Sequence, residues 1–166
     1  TALAARSSEL ICIIVPTPST PTDMFSCAHV EAAARVIGEG LVDKYRVVNI
    51  VSTVMPGDTR HIGQILEEES GLTLGEGFGL TYSPEFVRQG SVVNDFASPD
   101  MIMIGEHDAR SGRMVRDYYL SVVENVPTVH HMSLESAEIA KIGLNATIVT
   151  KMSVANELAW LCHGVP

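Results

Sequence analysis

The sequence predicts an α/β protein in which part of a doubly wound sheet is followed by one long helix. Short apolar runs that end in proline or glycine alternate with segments of helical periodicity, as in sheets whose strands are joined by helices. The first run, 10–15, has no polar alternation, which is typical of a strand buried on both faces of a parallel sheet. The third observation is the stretch that starts at Ser133, where a helical pattern continues for roughly thirty residues against a usual helix length of about 11–12.

Each predicted element follows from a local signal. Asp58 or Thr59 is expected to cap the helix over 58–70, and Gly71 to end it. Ser133 is the expected cap of the last helix, with Glu135 in its first turn. The chain therefore divides into 1–132, the sheet section, and 133–166, the long helix. Strands are predicted at 10–15, from Tyr45 to before Pro56, and at 78–83, 100–105 and 125–131, and helices at 29–42, 58–70, 107–123 and 133–163.

Composition excludes several classes of function. The chain has 166 residues, of which 46% are hydrophobic and 19% charged, so it is long and apolar enough for one folded core. A net charge of -9 argues against nucleic-acid or anionic-membrane partners. The stretch 137–162 contains four charged residues, which argues against a membrane span. Three cysteines, an odd number without zinc-site spacing, indicate buried free thiols in a reducing compartment and therefore a cytoplasmic location.

Three loops at predicted strand ends carry unusual chemistry: VPTPST, STVMPG and SPEFVRQG. Ligands of doubly wound sheets bind at this edge. Ser52 and Thr53 precede a helix start, where hydroxyls and free N–H groups suit a polar ligand, although a plain strand-to-helix connection would look the same. Glu85 follows a proline that keeps the loop extended, so its carboxylate could orient water or act as a base. The alternative for Glu85 is an exposed surface ion pair.

The long helix places Lys141 and Asn145 four residues apart, on one face. Apolar residues surround this pair in the sequence, and a lysine in such surroundings is costly unless it is paired or used. Burial would lower the pKa of Lys141, which suits proton transfer, and the neighbouring amide can donate to a developing oxyanion. The alternative is a lysine whose ammonium reaches past the apolar surface into water.

Other motifs carry no prediction of a site. The segment GEGFGL, 75–80, lacks a third glycine and precedes a strand, so it is not a dinucleotide fingerprint, and the sequence contains no other. His130 and His131 are adjacent in a strand, point to opposite faces and make a poor chelating pair. No metal is expected. Cys162 is expected to pack rather than to react.

The chain resembles the UDP-glucose/GDP-mannose dehydrogenase family, the NAD-dependent nucleotide-sugar 6-dehydrogenases. Five stretches carry the resemblance, in the family's order and over nearly the whole chain: VPTPST, HVEAAARVI, VVNIVSTVMPGDT, SPEFVRQGSVVNDFASPDMIMIG and SAEIAKIGLNATIVTKMSVANELAWLC. The resemblance implies a Rossmann-like NAD-binding domain, of which 1–132 is the C-terminal half, followed in 133–166 by the first part of a central dimerisation helix. It also implies that the family's glycine fingerprint and its nucleophilic cysteine lie outside these residues.

The family oxidises a sugar C6 alcohol to the carboxylate in two hydride transfers to NAD. The first gives an aldehyde, to which a cysteine adds; the second leaves a thioester, which water hydrolyses. By motif, Lys141 resembles the catalytic lysine and Asn145 the oxyanion-stabilising asparagine. Glu85 resembles the glutamate of thioester hydrolysis and sugar contact, and Thr53 the threonine that positions water. Further expected contacts are Phe86, Val87 and Arg88 with the sugar, and Val15, Pro16, Thr17, Ser52, Thr53 and Gln89 with NAD. Where this chain has Gln89 many members have a second glutamate, and glutamine cannot act as a base.

The resemblance implies a nucleotide-sugar substrate, a homodimer through the long helix and a role in polysaccharide biosynthesis. UDP-glucose is favoured, with GDP-mannose and UDP-N-acetylhexosamine as alternatives. A β-hydroxyacid dehydrogenase is a further alternative, because that group also uses Lys-x-x-x-Asn on a helix. A non-catalytic dimerisation fragment is the alternative from another class. The 166 residues alone are expected neither to bind NAD tightly nor to turn over.

Overall fold

The computed structural model describes residues 2–20, 24–42, 44–88 and 90–164. Its centre is one sheet of five strands whose spatial order follows the chain. The first three strands are parallel to one another, the fourth is antiparallel to the third, and the fifth is parallel to the fourth. These strands are β1 Leu10–Ile13, β2 Arg46–Ile50, β3 Phe78–Tyr82, β4 Met101–Glu106 and β5 Thr128–Ser133.

The reversal at β4 comes from the connection that precedes it. Residues 83–88 and 90–100 stay at the edge of the sheet where β3 ends, so the chain enters β4 from that edge and runs back. A parallel strand would have needed a crossover to the opposite edge. The predicted α/β fold with a largely parallel sheet is confirmed, and the reversal keeps a long loop at one edge of the sheet.

Helices cover both faces of the sheet. One face carries helices α2 (Ala28–Gly38), α3 (Asp58–Ser70) and α6 (Leu134–His163), whose apolar residues share a core with β2 and β3. The other face carries α5 (Ala109–Val122), which packs on β2, β3 and β4 around Val47, Ile104 and Val115. The two remaining helices of the described residues are α1 (Ala2–Ser7) and α4 (Val92–Ala97). The sequence did not predict α1 and α4, because six residues are too few to show a helical period.

The long helix α6 begins as predicted. The Ser133 hydroxyl accepts a hydrogen bond from the Ser136 backbone N–H at 3.2 Å, and Glu135 lies in the first turn. α6 packs closely on β4 at Gly105, where an added Cβ would lie 2.7 Å from the Cβ of Ala137. From Gly143 onward every described residue of α6 is exposed. Among the described residues, no helix is both long and apolar enough to span a bilayer.

The predicted start of α3 is wrong in one respect. Its N-cap is Gly57, with φ +97°, and neither Asp58 nor Thr59 caps the helix with its side chain. The Asp58 carboxylate instead accepts a hydrogen bond from the Met55 backbone N–H at 2.8 Å. The predicted end is confirmed, because Gly71 closes α3 with φ +70°, a conformation that favours glycine.

Candidate active site

The three chemically unusual loops lie at one edge of the sheet. Each follows one of the parallel strands β1, β2 and β3, and the carboxyl ends of parallel strands meet at the same edge. The reversed strand β4 also starts from this edge. The fold therefore gathers the loop after β1 (14–20), the loop after β2 (51–57) and the loop after β3 (83–88 and 90–91).

The loops after β1 and β2 are joined through one hydroxyl. The buried Ser52 Oγ accepts a hydrogen bond from the Val15 backbone N–H at 2.8 Å and donates to the Val15 carbonyl at 2.8 Å. Pro16 is exposed, and Thr17 and Thr53 are half-buried beside this contact in sequence. Two backbone segments are thus fixed side by side at the edge where a ligand can reach them.

The loop after β3 is folded around a carboxylate from α4. Asp95 accepts hydrogen bonds from the Arg88 guanidinium at 2.7 Å, the Arg88 backbone N–H at 2.8 Å and the Ser91 hydroxyl at 2.9 Å. The hydrogen bonds from the Arg88 side chain and backbone hold the pKa of Asp95 well below its ordinary value. Because Asp95 stays ionised, it fixes the path of the loop that carries Glu85.

Lys141 meets this loop from α6. Its side chain is 8% exposed, its Nζ donates a hydrogen bond to the Glu85 backbone carbonyl, and the ammonium lies 4.7 Å from the centre of the Phe86 ring. Burial lowers the pKa of Lys141, and the negative charge of Glu85 partly opposes that shift. A lysine with a lowered pKa offers a neutral amine at a lower pH than an exposed one.

A hollow of about 430 Å³ opens beside this contact. The loop after β3 forms one wall, including Glu85, and α6 contributes Leu144 and Ile148. Ser83 also lines the hollow, and its buried hydroxyl has no hydrogen-bond partner among the described residues. A hollow of this size, lined mainly by apolar side chains with a few polar groups among them, is typical of small-molecule sites.

The structure brings some of the predicted site residues together and separates others. Glu85, Phe86, Val87 and Arg88 all line the hollow. Lys141 contacts that wall from behind and is not itself part of the lining. Asn145 is exposed one turn further along α6, and Gln89 lies outside the described residues. Val15, Pro16, Thr17, Ser52 and Thr53 form a separate group at the ends of β1 and β2.

Sequence reasoning missed two buried carboxylates that shape this region. Asp95 holds the loop after β3, as described above. Glu138 is fully buried, and its two oxygens accept hydrogen bonds from the backbone N–H groups of Gly57 at 2.7 Å and Thr59 at 2.8 Å. Glu138 stands three residues before Lys141 in the same apolar stretch, so the cost of placing a charged group there would have indicated Glu138 as well.

No metal centre is visible in the described part of the chain, where no group of three or more His, Cys, Asp or Glu side chains could hold an ion. His131 instead pairs with Glu106, its Nδ1 lying 2.6 Å from the carboxylate. The cysteines in this part are free thiols, but none is fully buried, contrary to the prediction, and Cys162 is exposed rather than packed. Burial, followed by the negative charge of Asp58, raises the pKa of Cys27 to about 12, so this thiol is not a nucleophile near neutral pH.

A largely parallel sheet with helices on both faces and polar loops along its carboxyl edge defines a domain of the Rossmann type, and a buried amine lies beside a hollow at that edge. Comparison with known proteins gives the family. Residues 1–123 match the model of the UDP-glucose/GDP-mannose dehydrogenase family, NAD binding domain. The chain belongs to this family, and NAD is the cofactor of the matched domain.

Individual relatives agree with this assignment. The chain is 36% identical to the UDP-glucose 6-dehydrogenase AglM of Haloferax volcanii over 90% of its own length and 36% of that protein. It is 34% identical to the GDP-mannose 6-dehydrogenase of Pseudomonas putida, over 98% of this chain and 37% of the other. The crystal structure of a ternary complex of GDP-mannose dehydrogenase from Pseudomonas aeruginosa superposes with a TM-score of 0.88 and 28% identity, over 94% of this chain and 36% of that one. The chain thus spans a little over a third of the length of these relatives.

Proposed function

We propose that this chain acts within an NAD-dependent nucleotide-sugar 6-dehydrogenase, which oxidises the C6 alcohol of a nucleotide-linked hexose to the carboxylate in two hydride transfers. The observation that carries the proposal is the contact between Lys141 and the Glu85 carbonyl, beside the hollow that the same loop lines. UDP-glucose is the favoured substrate, with GDP-mannose and a UDP-N-acetylhexosamine as alternatives. Relatives named for UDP-glucose and for GDP-mannose are 36% and 34% identical, too similar to separate the first two.

The described residues fit one part of an NAD site. Val15 and Ser52 fix two loops side by side at the carboxyl edge, and with Pro16, Thr17 and Thr53 they are proposed to contact NAD. The 166 residues contain no glycine fingerprint for a pyrophosphate, and the carboxylate of Glu138 occupies the N-terminus of α3. When bound, NAD supplies the acceptor for the hydride. Gln89 is a further proposed contact, on its sequence position alone.

The residues of α6 and of the loop after β3 have complementary proposed roles. Lys141, with its lowered pKa, takes the proton of the C6 hydroxyl, and Asn145 donates an amide N–H to the oxygen on which charge develops. Glu85 and Thr53 position the water that hydrolyses the thioester left by the second hydride transfer. Phe86, Val87 and Arg88 hold the sugar, in a loop that Asp95 keeps in shape.

The second half of α6 supports a proposed homodimer. Val149, Met152, Leu158, Trp160 and Leu161 are 55% to 73% exposed, and a large exposed apolar surface marks an interface. This surface is also what favours the second candidate function, a non-catalytic dimerisation module. A cytoplasmic enzyme of polysaccharide biosynthesis is the setting that we propose for the catalytic alternative.

Activity of the full-length polypeptide that carries this chain tests the proposal. NADH formation should be measured with UDP-glucose, GDP-mannose, a UDP-N-acetylhexosamine and a 3-hydroxy acid. We expect two NADH per nucleotide sugar. Lys141→Met should lower kcat by about 10²- to 10⁴-fold, the usual contribution of a general acid–base group. Lys44→Met is the matched control, because Lys44 is exposed and lies before β2, away from the proposed site and from the proposed dimer surface, and it should leave kcat unchanged.

Three results would contradict the proposal. One is a Lys141→Met variant as active as the wild type. Another is one NADH per molecule of 3-hydroxy acid with no reaction of any nucleotide sugar, which would favour the β-hydroxyacid dehydrogenase alternative. The third is measurable turnover by the 166 residues alone, which we expect neither to react nor to bind NAD tightly.

A further inference from the structure

Glu138 is an unusual way to complete the N-terminus of a helix. The first N–H groups of α3 need acceptors, and a serine, threonine or aspartate at the N-cap would supply one locally. The N-cap of α3 is Gly57, which has no side chain to accept a hydrogen bond. The backbone N–H groups of Gly57 and Thr59 donate instead to the two carboxylate oxygens of Glu138, about eighty residues further on. Burying a carboxylate is costly, although two charge-assisted hydrogen bonds and the helix dipole compensate. A local cap would serve α3 equally well, so what Glu138 adds is the connection to α6.

That connection lies one turn from Lys141. Residues three apart in a helix share a face, so Glu138 and Lys141 approach the sheet edge together. Glu138 binds the loop after β2, which carries Ser52 and Thr53, and Lys141 binds the loop after β3 at Glu85. α6 is therefore fixed to both loops at two successive turns.

We propose that Glu138 is a positioning residue, which sets the location of α6 along its axis so that the Lys141 amine meets the Glu85 carbonyl. The proposal rests on the proposed function in so far as Lys141 is catalytic. The positioning itself does not depend on the proposed function, because Lys141 contacts the loop after β3 whatever the reaction is.

A direct electrostatic effect of Glu138 on Lys141 predicts the opposite behaviour. The shift in the pKa of Lys141 comes from burial and, with opposite sign, from Glu85. If the charge of Glu138 acted directly on the ammonium, removing that charge would lower the pKa of Lys141 further. If Glu138 acts by position, its loss lets the amine move out into water, and the pKa of Lys141 rises toward its ordinary 10.5.

The experiment compares Glu138→Gln with Glu135→Gln in the full-length polypeptide. Glu135 is a matched control because it also joins α6 to α3, through the exposed Arg60 at 2.5 Å. Two readouts are needed: the pKa of Lys141, from the pH dependence of its labelling by an amine reagent, and kcat and KM with NAD and the nucleotide sugar. We expect Glu138→Gln to raise the pKa of Lys141 and to lower kcat by about 10- to 100-fold, since a misplacement of about 1 Å has that effect. Glu135→Gln should change neither.

Glu138→Asp covers the case in which the glutamine variant does not fold. It keeps the charge, but it is one methylene too short to reach both N–H groups, so it should shift the pKa of Lys141 in the same direction. Variants that lose thermal stability but keep the wild-type kcat and Lys141 pKa would overturn the proposal, and so would a fall in that pKa. If Lys141→Met remains active, the proposed function fails, while the labelling experiment still decides the role of Glu138.

Discussion

Replacing Gly105 by alanine tests whether α6 is held on β4 by close packing. The added Cβ would lie 2.7 Å from the Cβ of Ala137 and 3.2 Å from the Cα of Leu134. Carbon atoms pack at about 3.5–4.0 Å, so α6 and β4 would have to separate by roughly 1 Å. Overpacking of this kind costs about 1–3 kcal/mol. For a chain of this size each kcal/mol lowers Tm by about 2–4 °C, which gives a fall of about 2–12 °C.

The assay is thermal unfolding of the 166-residue chain, followed by circular dichroism. Gly143→Ala is the matched control, because an added Cβ at Gly143 meets no atom within 4 Å. Since Gly143 lies inside α6, this alanine should stabilise the chain by about 0.5–1 kcal/mol. A Gly105→Ala variant that melts at or above the wild-type Tm would refute the packing argument.

Three further predictions concern ionisable groups. Because the folded pKa of Lys141 is lowered, the unfolded chain binds one more proton than the folded chain between that pKa and 10.5. The free energy of unfolding, measured by urea titration, should therefore rise with pH across this window, and Lys141→Met should lack the rise. The hydrogen bonds between Asp95 and Arg88 should persist below pH 5, because the folded pKa of Asp95 is lowered. Asp95→Asn should speed tryptic cleavage after Arg88, and an unchanged cleavage rate would show that these hydrogen bonds do not hold the loop. Cys27 should resist iodoacetamide at about pH 8 in the native protein and react after denaturation, as mass spectrometry would show; rapid native labelling would contradict the raised pKa.

Much of the fold could be predicted because its signals are local. The apolar run at β1, the Gly71 end of α3 and the Ser133 cap of α6 each depend on neighbouring residues, and the structure has a strand and both helix ends at these places. The prediction that β1 is buried on both faces is wrong, because β1 is an edge strand and Cys12 is exposed. The direction of β4 could not be predicted in this way. It depends on whether residues 83–100 cross the sheet or stay at one edge, and the sequence of a loop does not state that.

The burial of Lys141 was predicted, but for a reason that was only half right. Lys141 is buried as expected, but its apolar neighbours in sequence do not bury it, since Ile139 and Ile148 are themselves 59% and 48% exposed. Its burial comes from the contact of α6 with the loop at Glu85. Glu138 was missed because its partners lie 79 and 81 residues away, and capping rules consider only neighbouring residues.

We propose that α6 and the loop after β3 form one wall of a nucleotide-sugar site, with NAD at the ends of β1 and β2. Amide hydrogen exchange of the full-length polypeptide, with and without each ligand, tests it most directly. We predict that the nucleotide sugar slows exchange in 84–88 and 141–145, and that NAD slows exchange in 15–17 and 52–53. Binding of both ligands with unchanged exchange in these segments would contradict the claim.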